Sequence, residues 1–205
     1  MPRIIGITGN IACGKTAVGQ ILLELGAERY IDADAVVHKL YERGQTIAVK
    51  IAEAFGPEVV APNGDIDRKA LGALVFQDAA EMRRLEAIVH PAVSKALASE
   101  LAQVSASGIV VFDAVKLLEG GSGEFCQSKW LIVCPEELEY KRLVARNDLT
   151  PEEAWARIKA QPAVEKRLPL VDEVIDNSGS LLETRRQVES AYERFNNKFP
   201  AQGRG

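Results

Sequence analysis

The sequence has few cysteines, no long apolar run and no excess of positive charge, and each absence excludes a class of protein. Its 205 residues include three cysteines. Cys13, Cys126 and Cys134 are odd in number and lack framework spacing, which argues against a secreted disulfide scaffold. The longest apolar stretches, such as Ile109-Val110-Val111-Phe112, fall far below the ~20 residues that span a bilayer. The formal net charge is −4, so no global basic field favours nucleic acid. Internal repeats and low-complexity segments are missing. Met1 to Gly6 leads straight into a strand-like run, without the layout of a signal peptide. Hydrophobic residues at 47% and charged residues at 26% are ordinary for a globular chain, which excludes disorder, collagen-like repeats and coiled coil as descriptions of the whole. A cytoplasmic protein of one domain, with or without insertions, is expected.

What is present is an alternation of strand and helix. Ile4-Ile5-Gly6-Ile7-Thr8 reads as a buried parallel strand. From Lys15 the period changes: Val18, Ile21, Leu22 and Leu25 share one helix face, and Gly26 supplies the stop. Strand signals recur at 29–31, 109–112, 130–133 and 173–175, with helical stretches between them, which implies an α/β fold with a parallel sheet covered on both faces. About 75 residues separate Asp32 from Ile109, far more than one crossover helix needs. They read as helices over 35–41, 46–55, 68–76 and 81–102, and Pro91 is expected to kink or divide the last near His90. A second helical block covers 135–170. Its helix over 136–146 is followed by one running to Gln161, opened by the capping box Thr150-Pro151-Glu152-Glu153. The two form a basic hairpin carrying Lys141, Arg142, Arg146 and Arg157. A final helix covers 181–199, and 200–205 is expected to be a flexible tail.

Gly9-Asn10-Ile11-Ala12-Cys13-Gly14-Lys15-Thr16 matches the phosphate-binding pattern G-x-x-x-x-G-K-[ST] in full. Its glycines let successive N–H groups point inward as an anion nest, and the helix that follows adds its positive end. Lys15 can reach the β- and γ-phosphates, and the Thr16 hydroxyl can bind Mg²⁺. Asp32-Ala33-Asp34 follows the second strand, where ligands of open α/β sheets sit. The pair suits orienting an acceptor hydroxyl and holding Mg²⁺; equally, Asp34 suits the N-cap of the helix beginning at Ala35. On spacing alone the two readings stand level. Asp113, at the end of the third strand, suits a Walker-B-type Mg²⁺ acid or a plain turn residue. Arg142 and Arg146, four apart, are placed to close over a triphosphate. Cys13, a thiol among inward N–H groups beside Lys15, is expected to have a lowered pKa, the plainer reading being a small residue that fits the loop.

Taken in order, these elements resemble the dephospho-CoA kinase family. The resemblance spans about residues 4–190. It rests on the P-loop, on Ile31-Asp32-Ala33-Asp34, on Ile66-Asp67-Arg68-Lys69-Ala70-Leu71 with Phe76, and on Val89-His90-Pro91. Lys141-Arg142-Leu143-Val144-Ala145-Arg146, Ala154-Trp155-Ala156-Arg157-Ile158-Lys159-Ala160-Gln161 and Val174-Ile175-Asp176-Asn177-Ser178-Gly179 complete it. The resemblance implies ATP- and Mg²⁺-dependent phosphorylation of the ribose 3′-hydroxyl of dephospho-CoA. It also implies a P-loop kinase core (1–34, 105–134 and 171–199), a helical substrate domain (35–104) and a helical lid (135–170). Asp34, Lys15 and Arg146 become the expected catalytic residues. Nucleotide contacts fall to residues 10–17 (Asn10, Ile11, Ala12, Cys13, Gly14, Lys15, Thr16, Ala17) with Arg142, Arg146 and Asn177. Acceptor contacts fall to Asp32, Asp34, Arg68, His90 and Asp113, and Mg²⁺ to Thr16, Asp32 and Asp113. Small molecules are the expected partners, with no nucleic acid and no membrane, on a monomer or weak homo-oligomer.

The sequence departs from the family pattern in places. Asn10, Ala12 and Cys13 replace Gly, Gly and Ser, and the loop accommodates Ala12 if that residue keeps a negative φ. The segment 112–119 lacks the usual proline, and Glu139 stands where the family commonly has Gln. The alternatives to this reading are another small-molecule P-loop kinase and a nucleotide switch without turnover, the latter disfavoured by the lack of an Asn-Lys-x-Asp guanine-reading motif.

Overall fold

The computed structural model describes residues 1–119, 123–146 and 149–201. Residues 202–205 of the expected tail lie outside this range. The chain divides into two compact units, Met1–Asp32 with Val104–Gly205, and Ala33–Gln103.

The first unit is built on five parallel strands, β1 (Arg3–Gly9), β2 (Arg29–Asp32), β3 (Ile109–Asp113), β4 (Ser128–Val133) and β5 (Glu173–Asp176), in the order β2-β3-β1-β4-β5. Strand β1 is central, and its residues Ile4 to Gly9 are all buried, as the unbroken apolar run requires of a strand covered on both faces. Gly6 admits close packing there: a Cβ would lie 2.8 Å from the Cys126 Sγ and 2.9 Å from Leu117. Helices α1 (Lys15–Glu24) and α9 (Leu181–Lys198) pack together. Their Val18, Leu22, Val188 and Ala191 join Ile5, Ile7, Trp130 and Ile132 of the sheet in one core. Helices α6 (Glu136–Arg146) and α7 (Pro151–Lys159) pair through Leu143, Ala154 and Ile158, and Ile11 and Ala12 of the P-loop pack against that cluster. The capping box at Thr150 and Glu153 is formed as expected. Helix α7 stops at Lys159, however, and a separate short helix, α8 (Val164–Arg167), follows.

The second unit holds α2 (Ala33–Leu40), α3 (Thr46–Phe55), α4 (Arg68–Val75) and α5 (Ala79–Leu101) around a core of Tyr41, Ile51, Phe55, Val59, Leu71, Val75 and Val89. Pro91 does not divide the last helix; α5 is one helix of 23 residues with Pro91 inside it. The proline deprives the carbonyl of Ala87 of a donor, but both residues are exposed, so water can take the donor's place. Among the described residues no helix is long and apolar enough to cross a membrane.

Candidate active site

The P-loop joins β1 to α1 at the carboxyl end of the sheet. Helix α1 begins at Lys15 with no side-chain cap and no acidic residue in its first turn. No side chain of the cap therefore satisfies its first N–H groups, and the helix presents its partial positive charge to an anion. Gly14, at φ 102, makes the turn into the helix. No side chain fits there: a Cβ would lie 1.9 Å from the Asn177 Nδ2. Lys15 is half-buried, and its ammonium donates to the Gly9 carbonyl at 3.3 Å.

Two side chains grip the underside of the loop. Asn177 is buried at 6% exposure, and its amide donates to the Cys13 carbonyl at 2.8 Å while its own oxygen accepts from Thr184 at 2.9 Å. Arg142 donates to the carbonyls of Cys13 at 3.1 Å, Ala12 at 3.4 Å and Asn177 at 3.0 Å. In a trans peptide C=O and N–H point opposite ways, so fixing the Cys13 carbonyl beneath the loop turns the Gly14 N–H toward the phosphate side. Arg167, only 3% exposed, adds a third brace: its guanidinium donates to Asn10 Oδ1 at 3.2 Å, the Val115 carbonyl at 3.3 Å and Glu119 Oε1 at 3.4 Å.

Two carboxylates stand at the carboxyl ends of strands on one side of β1. Asp32 and Asp113 are register partners at the carboxyl ends of β2 and β3. The Tyr30 hydroxyl donates to Asp113 Oδ2 at 2.5 Å and is also hydrogen-bonded with the Thr16 side chain. Desolvation, then the Asp113 charge, raises the Tyr30 phenol well above its ordinary range, so it stays a neutral donor. Its ring reaches this position because Gly19 of α1 carries no side chain; a Cβ there would lie 2.1 Å from the ring.

Several expectations need correction. Ala12 does not keep a negative φ; at φ 59 it is the one non-glycine residue in the left-handed region among those described. Cys13 is fully buried, its thiol packed in the core. Burial pushes it up to about 11, outweighing the nearby Lys15 that lowers it. Its burial in the core and its raised pKa support the reading as a small packing residue over that of a reactive thiolate. Arg142 faces the loop's carbonyls rather than open space. Asp34 is not an N-cap, because α2 already begins at Ala33. It is an exposed residue of the first helical turn. The helix-capping acids in the second unit are Asp67, which accepts from the N–H groups of Lys69 and Ala70 with Arg68 exposed beside it, and Asp78, which accepts from the N–H of Ala80. His90 is exposed on α5, and Arg146 is exposed at the end of α6. Lys15, Thr16, Asp32, Asp113, Arg142, Arg146 and Asn177 belong to the first unit, and Asp34, Arg68 and His90 to the second.

Sequence reasoning missed Tyr30, Arg167 and the environment of Glu139. The pairing of Tyr30 with Gly19 has no signal in spacing, and neither does the reach of Arg167 across 157 residues to Asn10.

A nest of this form serves many kinases, so the choice among them rests on likeness along the whole chain. The model of the dephospho-CoA kinase family matches residues 3–183. The chain belongs to the dephospho-CoA kinase family. A relative from Symbiobacterium thermophilum named dephospho-CoA kinase is 45% identical over 192 residues, covering 93% of this chain and 80% of the relative. Among solved structures, a Thermus thermophilus protein matches with a TM-score of 0.82 at 34% identity, over 95% of this chain and 97% of its own. Dephospho-CoA kinase from Campylobacter jejuni matches with a TM-score of 0.66 at 27% identity, over 97% and 99%. The kinase family gives the P-loop its ligand, ATP, and the reaction its type, transfer of a phosphoryl group to a hydroxyl.

Proposed function

We propose that this chain transfers the γ-phosphoryl group of ATP to the ribose 3′-hydroxyl of dephospho-CoA, giving coenzyme A and ADP. The observation that carries the reading is the braced P-loop, whose N–H groups, helix terminus and Lys15 converge on one anion site in a chain of this family. Phosphoryl transfer needs mainly positioning and charge stabilisation. The backbone of residues 10–17 holds the phosphates, and Lys15 leaves the Gly9 carbonyl for the β- and γ-oxygens. Arg142 and Asn177 act through the loop they hold, as positioning residues. Arg146 closes with α6, α7 and α8 as a lid over the phosphates. Asp34 orients the 3′-hydroxyl and accepts its proton, while Arg68 and His90 bind the acceptor.

Mg²⁺ fits the oxygens present. Among the described residues no group of three or more His, Cys, Asp or Glu could hold a metal alone. Magnesium does not require such a cage, since one or two protein oxygens with substrate phosphates and waters suffice. The Thr16 hydroxyl and Asp32 would supply them, and Asp113, which accepts the Tyr30 hydroxyl, would act at one remove. When bound, the ion neutralises charge on the β- and γ-phosphates.

Turnover of dephospho-CoA against nucleoside monophosphates tests the assignment. Dephospho-CoA should be preferred by at least ~10²-fold in kcat/KM, and Lys15→Ala should lower its kcat/KM by at least ~10²-fold. Preference for a nucleoside monophosphate would replace the acceptor. Full activity of a folded Lys15→Ala protein would remove the P-loop from the reaction.

A further inference from the structure

Glu139 lies on α6 one turn before Arg142 and is 1% exposed. Its Oε2 is buried without a hydrogen-bond partner, which is costly for a carboxylate. The side chain lines a cavity of about 520 Å³ together with Asn10 of the P-loop, Pro135, Lys159 and Asp176. Two cations bear on it, Lys15 from the P-loop and Arg142 from its own helix, the first donating to the Gly9 carbonyl and the second to the carbonyls of Ala12 and Cys13. Glu136, one turn earlier, opposes its charge but is itself paired with Lys159 of α7 at 2.5 Å. The thiols of Cys13 and Cys134 are raised to about 11 and about 12 by burial and add no charge at neutral pH. The remaining acids on the cavity wall are Asp176, at the end of β5, and Glu165 of α8.

Resting on the ATP reading above, we infer that Glu139 takes up a proton when a nucleoside triphosphate occupies the P-loop and releases it when the nucleotide leaves. Desolvation already holds the free carboxyl near its midpoint, at about 7. Bound phosphates engage Lys15 and bring negative charge to the same loop, and both changes favour the neutral acid. One carboxylate and one proton from the buffer become one carboxylic acid, with no other bond altered. Glu139 thereby makes nucleotide affinity fall as pH rises, a dependence that a glutamine at this position would not confer.

Calorimetric titration of the full chain with Mg²⁺ and a non-hydrolysable ATP analogue tests this, near pH 8 in two buffers of different ionisation enthalpy. The native chain should take up on the order of one proton more per nucleotide than Glu139→Gln, a difference in which the nucleotide's own protons cancel. Between about pH 7 and 9 the native affinity should also fall, by up to ~10-fold per unit, in a range where the Mg²⁺-bound triphosphate does not itself titrate. Equal proton uptake by both proteins, each binding normally, would overturn this inference alone. If Glu139→Gln does not fold, a flat native affinity over that pH range does the same. Failure of the native chain to bind the analogue would remove the ATP reading and this inference together.

Discussion

Glu139 and Ala12 each hold a position that their chemistry resists, and packing decides both. The folded carboxyl of Glu139, at about 7, stands above its ordinary 4.5, chiefly through desolvation. A raised acid binds its proton more tightly in the native state, so its contribution to stability is full below about pH 4.5 and is lost as pH rises to about 7. The full loss is about 3 kcal/mol. Glu139→Gln carries no such proton. Relative to the native chain it should gain most of that amount between pH 5 and pH 8, read by urea denaturation at each pH. An equal difference at both values would show that Glu139 ionises as an ordinary surface acid. Ala12 shows why a residue-scale reading from sequence fails. A left-handed alanine costs roughly 1–2 kcal/mol, so the sequence favours negative φ. Yet the Ala12 carbonyl is held by Arg142 and the residue packs against the α6–α7 cluster. Both contacts come from more than a hundred residues away, and no local rule contains them.

The elements were legible where periodicity was strong, as in β1, α1, α3, α6 and α9. They were less so where a boundary depends on tertiary contact, as at the α7–α8 break and the start of α2. The phosphate motif could be read in full. The support beneath it could not, because Arg142 looks in sequence like any basic residue on a lid helix. The two roles predict different results. An exposed arginine awaiting a phosphate contributes little to folding. An arginine donating to the carbonyls of Ala12, Cys13 and Asn177 leaves those acceptors short of donors when it is removed. Arg142→Ala should therefore cost about 1–3 kcal/mol of stability as well as weakening nucleotide binding, because the Cys13 peptide then depends on Asn177 alone. Thermal unfolding with and without an ATP analogue checks both. An unchanged Tm in the absence of nucleotide would return Arg142 to the role of a phosphate ligand.

At the scale of the molecule, the family's motifs are divided between the two compact units. The phosphate machinery belongs to the sheet unit, and Asp34, Arg68 and His90 belong to the helical one. The order of motifs along the chain was sufficient to identify the family without this division, since the resemblance rests on residue types at fixed sequence positions. The role of Asp34 is not fixed in the same way, and one substitution separates its readings. Because α2 starts at Ala33, Asp34 supplies no N-cap. Its contribution to folding is limited to the attraction of a carboxylate for a helix N-terminus, about 0.3–1 kcal/mol at an exposed site. Asp34→Asn keeps the shape and gives up only that amount, so the Tm should fall slightly and ATP affinity should stay within a few-fold of native. If Asp34 orients the 3′-hydroxyl and accepts its proton, the amide can do neither step fully, and kcat should drop by ~10²–10⁴. The loose transition state of phosphoryl transfer, with little proton movement before it, places the loss toward the lower figure. Retained turnover in a folded Asp34→Asn protein would move the role to Asp32, since Asp113 is 6% exposed and already accepts the Tyr30 hydroxyl.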